Sequence, residues 1–175
     1  MHDRLIAARW PLGLFLALFL FSLLWDASGL DRVVMAWFGT ASGFPLRSHP
    51  WLEKGAHDAV RQAGIGLYLL LLVAAAWPGR WPGSVTRLER IEMAIGTTLA
   101  LLAVNLLKRY SLTSCPWDLA EFGGVARYVS HWDWGVSDGG GAHCFPGGHS
   151  STAMAFLAVA LPGLMSAEAE RRRAG

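Results

Sequence analysis

Lys108 and His149 carry the two side chains in this 175-residue chain whose surroundings best suit chemistry. Lys108 is followed, after six residues, by Cys115-Pro116-Trp117-Asp118. His149 closes the run Phe145-Pro146-Gly147-Gly148-His149 and leads directly into an apolar, helix-forming segment. A Gly-Gly turn at a helix N-terminus presents unpaired backbone N–H groups and the positive end of the helix dipole, which together suit an anion. An ammonium nearby adds a point charge fitted to phosphate. An imidazole at the rim can protonate a leaving alkoxide as a general acid. Phosphoryl chemistry depends mainly on such positioning and charge stabilisation. Taken singly, Lys108 reads as an anchor snorkelling from a helix end and His149 as a capping or interfacial histidine. Taken together with the Pro-Gly-Gly turn, they favour a phosphate site.

The elements that must position these residues are apolar helices. Hydrophobic residues make up 53% of the chain and mean hydropathy is +0.34, with the apolar residues gathered in blocks long enough to cross a bilayer. Four spans are expected, at about 10–25, 62–79, 88–107 and 150–167, in an all-α polytopic bundle forming a single domain, 1–175. Thr86 and Glu89 fit a capping box that starts the third helix ahead of its apolar run. Helices are favoured because open strands would leave backbone groups unpaired in lipid. A cleaved signal peptide fits the first block less well, since cleavage after Ala27 would place bulky Trp25 where a small residue is wanted. Buried helices of a soluble protein are disfavoured by the number of blocks and their flanking Trp77, Trp81 and arginines.

Basic residues set the expected direction. Arg4 and Arg9, then Arg80, Arg87 and Arg90, then Arg171, Arg172 and Arg173 fall on one side of a four-span chain, and the positive-inside rule makes that side cytoplasmic. Two long loops, about 26–61 and 108–149, then face outward and carry Lys108 and His149 on the same face. In the first, Leu30, Val33, Val34, Trp37 and Phe38 recur at the spacing of one helical face, and a second helix is expected from Pro50. Both are expected either in the interface plane or packed on the spans. The net charge of +2 is too small to indicate a nucleic-acid partner.

The motifs resemble those of the type 2 phosphatidic acid phosphatase superfamily, membrane lipid-phosphate phosphatases related to vanadium haloperoxidases. Lys108 and Pro116 match the first motif, with Cys115 where that motif has Arg. Pro146, Gly148 and His149 match the second, with Gly147 in place of Ser. No segment after His149 matches the third motif, which carries the nucleophilic histidine, its Asp and an Arg. The resemblance implies that Lys108 binds phosphate, that the Gly147 and Gly148 amides cradle it, and that His149 is the catalytic general acid. It further implies the first four of six helices, hence a C-terminally truncated chain. The implied activity is metal-independent, phosphohistidine-type hydrolysis of a lipid phosphate or diphosphate, with the nucleophile missing from this chain. The other reading is a catalytically inactive relative that binds phosphate or acts as a membrane interaction protein. The expected location is a bacterial inner (plasma) membrane, with a cytoplasmic N-terminus, the site on the outer (periplasmic) face, and membrane lipids and a lipid phosphate as partners. No cofactor or metal is expected.

If the two motifs converge on one phosphate, Cys115 and Cys144 come within bridging reach in a compartment that permits disulfides, and a bridge between them is expected. A zinc site from Cys115, Cys144, His143 and His149 is the weaker alternative, because the spacings are not those of zinc ligands. Trp117, Trp132 and Trp134 are expected in the aromatic belt, or at a lipid-facing entrance. Asp118, Asp133 and Asp138 are expected to be solvated loop carboxylates.

Overall fold

A computed structural model describes residues 9–79 and 85–159 of the chain. Among the described residues, regular structure is helical, and β pairing is confined to two isolated bridges. Helix α1 spans Arg9–Ser28 and is apolar around its circumference. Gly29, with φ of 67°, turns the chain into the short α2, Leu30–Met35. A π-helical turn, Trp51–His57, runs without a break into α3, Asp58–Ala76. Helix α4 spans Arg87–Tyr110 and α5 spans Gly148–Ala155, followed by a 3-10 turn, Phe156–Val159.

The continuous helix Trp51–Ala76 and helix α4 are both long and apolar enough to cross a membrane. Their most apolar windows are only 6% and 17% buried, whereas core helices of a water-soluble protein would be mostly buried. The outward faces carry Leu67, Leu69, Leu70, Leu99, Leu102 and Leu106, all exposed. An apolar exterior of this extent suits lipid rather than water. Helix α1 adds a shorter apolar helix, Leu12–Ser28.

Local chemistry explains where these helices start and how they meet. The Thr86 hydroxyl accepts the Glu89 N–H at 3.3 Å, and Glu89 Oε2 accepts the Thr86 N–H at 2.7 Å, closing the expected capping box. Tyr68 and Thr98 share a hydroxyl hydrogen bond of 2.8 Å across α3 and α4. Gly96 faces Ala158, so small residues let the last turn approach α4 closely. At the opposite end from Lys108, Arg90 is 3% exposed and donates to the carbonyls of Ala74, Trp77, Gly79 and Val85 at 2.8–3.2 Å. The carbonyls at the end of α3 have no partners of their own there, and the guanidinium supplies them. Arg90 is therefore a structural clamp on the loop rather than one of its free charges.

The two long loops share a small core of their own. Leu119, Phe122 and Ala126 are buried, with Met35, Phe44 and Tyr128 packed against them. Gly39 lies so close to the Phe44 and Phe122 rings that a side chain there would displace them.

Two expectations about the first loop are corrected. The helix beginning near Pro50 is not a separate interfacial element. No proline follows Pro50 before the second apolar block, so the polar and apolar segments fuse into one helix, Trp51–Ala76. The helix that carries the second apolar block therefore starts well before residue 62. The other amphipathic segment ends at Met35, and Trp37 and Phe38 lie in turns leading to Gly39, exposed by 73% and 61%. The five residues do not share a single helical face. The fourth helix begins at Gly148, and residues 160–167 of its expected span lie outside the described residues.

The clamp yields a test. Arg90→Met keeps most of the apolar stem but strands buried carbonyls, at a cost of about 1–3 kcal/mol. Thermal unfolding in detergent should show a clear fall in midpoint, while an unchanged midpoint would contradict the clamp.

Candidate functional site

The chain between α4 and α5 is folded back so that its two ends meet. His143 N–H donates to the Ser111 carbonyl and Cys144 N–H to the Thr113 carbonyl, both at 3.0 Å. Between these strands of chain lies Asp138, 3% exposed. Its carboxylate accepts the Ser114 N–H at 2.5 Å, the Ser114 hydroxyl at 2.8 Å and the Gly140 N–H at 2.9 Å. The Ser114 oxygen in turn accepts the Ala142 N–H at 3.0 Å. Burial pushes the Asp138 carboxyl upward, but the hydrogen bonds from Ser114 and Gly140 outweigh it and hold the group below the usual carboxylate value. This corrects the expectation of a solvated carboxylate: the Gly139–Gly141 stretch lets the backbone wrap around Asp138. Gly140 has no room for a side chain against Ser114 and Ala126.

Cys115 and Cys144 are joined by a disulfide, with Cα atoms 5.0 Å apart. With both sulfurs bonded to each other, the zinc set of Cys115, Cys144, His143 and His149 lacks two ligands. The bridge closes a loop with a sequence separation of 29 residues, and the chain-entropy model gives such a loop about 3–4 kcal/mol of stabilisation.

The folded loop brings Lys108 to the start of α5. Lys108 Nζ lies 3.5 Å from where a side chain on Gly148 would begin. Gly147 caps the helix in an extended conformation and makes no side-chain cap. The first intrahelical bond described there runs from Ser151 N–H to the Gly147 carbonyl, at 3.0 Å. The N–H groups of Gly148, His149 and Ser150 precede it, the usual unpaired donors of a helix start. His143 Nδ1 lies 3.3 Å from the Lys108 carbonyl. Because a carbonyl only accepts, that nitrogen carries the proton, and His143 helps cap α4.

Sequence reasoning did not single out His57. Its ring centroid lies 4.1 Å from that of His149, with the planes tilted by 51°. His57 Nδ1 is 3.4 Å from Asp58 Oδ1. A usable signal was present in the topology: residues just ahead of the second span must sit at the same end as the close of the third and the start of the fourth.

A second polar cluster ties α1 to this end. Asp26 accepts from the His131 ring at 2.7 Å, from the His131 N–H at 3.1 Å and from the Ser130 hydroxyl. Asp31 accepts the Tyr128 hydroxyl at 2.9 Å. Burial and the Asp31 hydrogen bond push the Tyr128 phenol well up. Asp26, Asp31 and His131 offer atoms within 4.8 Å of one another that could ligate a metal, but each of these groups already serves the tether. The His131 ring lies 4.3 Å from that of Phe145, next to the Pro-Gly-Gly turn.

Beside the turn lies a cavity of about 450 Å³, whose lining includes Leu106, Leu107, Leu112, Trp132, Trp134 and Phe145. Trp132 also packs edge-on against Phe19 of α1, with centroids 5.5 Å apart. Trp117 sits instead under the Arg47 guanidinium, 4.4 Å from its ring centroid. Asp118 accepts the Cys115 N–H at 3.3 Å, and Asp133 is exposed.

The arrangement therefore places one ammonium against the first residue of α5, beside free backbone donors, and sets the ring of His149 from the same turn against that of His57, next to an apolar cavity. It can hold an anion and exchange protons with it. No family model, no curated protein and no solved structure matches the chain.

Asp138 makes the loop sensitive to acid. A carboxyl held low in the folded state stabilises the fold above its unfolded value of about 3.9, and that stabilisation is lost as pH falls through the folded value. Protease resistance of the loop between α4 and α5 should thus be level near neutrality and drop in strong acid. Asp138→Asn should lower resistance at pH 7 and flatten the acid dependence. A variant as resistant as the parent at pH 7 would contradict the assignment.

Proposed function

We propose that the chain is a membrane-embedded phosphatase-type protein that binds the phosphate of a lipid phosphate or diphosphate at the Lys108–His149 site. The observation that carries this reading is the Lys108 ammonium lying against Gly148 at the start of α5. A charge-assisted donor and a row of free N–H groups then converge on one point. In this reading Lys108 and the amides of the Gly147–Gly148 turn hold the phosphate, a water molecule attacks phosphorus, and His149 protonates the leaving oxygen. The adjacent apolar cavity of about 450 Å³ favours an amphiphile over a small soluble phosphate.

The proposal includes four spans, with α1 and the helix that starts at Gly148 joining the two longer helices. The arginine-rich end is cytoplasmic, and the Lys108 end faces outward. Such a site meets a lipid headgroup at the depth where the phosphates of a bilayer lie. Its location is an inner (plasma) membrane of bacterial type.

The assay is phosphate release by purified protein in detergent micelles containing phosphatidic acid or a polyprenyl diphosphate. The expected result is release that falls about 10²–10⁴-fold in His149→Ala, the usual contribution of a general acid. Lys108→Met is expected to raise KM more than it lowers kcat. Absence of release, or release indifferent to His149→Ala, would sink the enzymatic reading.

A further inference from the structure

The two imidazoles in ring contact come from different elements, His149 from the first turn of α5 and His57 from the π-helical turn that opens the long helix Trp51–Ala76. Nothing in local sequence brings them together; the packing of α3 against α5 does. The His57 side chain is 53% exposed, so the pair is open to solvent rather than sealed into the core.

Charge balance gives His57 a task. A phosphomonoester carries close to two negative charges at neutral pH, whereas a phosphodiester carries one. Lys108 supplies one full positive charge, and the start of α5 supplies roughly half of one. A dianion at this point is left short of positive charge, and a protonated His57 makes up the difference. Asp58 Oδ1, 3.4 Å from His57 Nδ1, engages that nitrogen and leaves Nε2 to serve a ligand. The charges that oppose the His57 imidazolium are Lys108 and a protonated His149 across the site, with Lys54 and Arg61 at helical spacing on its own helix. Two imidazolium rings 4.1 Å apart repel each other in the empty site, and a bound dianion offsets that repulsion.

The same distance decides what His57 does. Rings in van der Waals contact leave no room for a phosphorus atom between them, so a phosphate seated on the Gly148 and His149 amides lies against their edges. His57 is therefore placed to bind a phosphate oxygen, not to attack phosphorus from the side opposite His149.

We infer that His57 is the second imidazole of the phosphate site, and that as an imidazolium it makes the site select a dianionic terminal phosphate over a phosphodiester. The inference rests on the phosphate-site reading above and adds to it the class of headgroup. The terminal phosphate can belong to a lipid or be free in solution, and the chemistry that recognises it is the same.

The test is calorimetric binding at pH 7 to the purified full chain in detergent, with phenyl phosphate as monoester probe and dimethyl phosphate as diester probe. Phosphatidic acid in micelles and inorganic phosphate are run beside them to separate a lipid-borne from a free source. The expected result is that His57→Gln weakens phenyl phosphate binding by tenfold or more and shifts dimethyl phosphate by less than twofold. His57→Lys, which carries a permanent charge, is expected to restore the monoester, a rescue that a packing role for the ring would not give. The dependence on His57 should recur with whichever of phosphatidic acid and inorganic phosphate the parent protein binds. If Lys108→Met abolishes phenyl phosphate binding while His57→Gln leaves it intact, or if His57→Gln weakens both probes equally, the role of His57 is overturned and the phosphate site stands. If the parent protein binds none of the probes, both fall.

Discussion

The buried carboxylate of Asp138 is the interaction on which the site depends. A chain leaving α4 at Tyr110 and re-entering a helix at Gly148 has many ways to span the gap, and most of them would leave Lys108 far from His149. Asp138 removes that freedom by gathering the Ser114 and Gly140 donors at one point. The Cys115–Cys144 bridge then fastens the same two stretches covalently. With these in place, the lysine at the close of one helix has little choice but to face the open start of the next.

The rest of the fold follows from keeping polar backbone out of an apolar surround. Within the bundle the helices satisfy their own N–H and C=O groups. The breaks in helical order fall at the two ends, and each end has its own remedy. At one, the Arg90 guanidinium serves the Ala74, Trp77, Gly79 and Val85 carbonyls. At the other, the longer loops pair with each other through Asp26, Asp31, Tyr128 and His131 and enclose the Leu119–Phe122–Ala126 core. The start of α5 leaves its first N–H groups open, with the Lys108 ammonium beside Gly148 and the His57 ring against that of His149.

Much of this was legible in the residues, unevenly so. The helical character, the Thr86–Glu89 cap and the proximity of the two ends of the second loop follow from local pattern and from topology. The loop interior does not, because a lone Asp among glycines carries no periodic signal of burial. His57 was hidden for a related reason. The segment from Pro50 looked like a surface helix, and only its fusion with the second apolar block carries that imidazole to the site. Arg90 counted as one of several basic residues flanking a span, and its burial is visible only once the carbonyls of the preceding turn surround it. In each case local composition was sound, and the missing information was which distant backbone came to rest beside the side chain.

The central claim is that an anion binds where Lys108 meets the first turn of α5. The most direct measurement is a titration of ¹⁵N-labelled protein in detergent with inorganic phosphate, followed through the backbone amide signals. The account predicts saturable shifts concentrated at Gly148, His149 and Ser150, and their loss in Lys108→Met. Shifts spread over the basic surface, or none at these three amides, would contradict it.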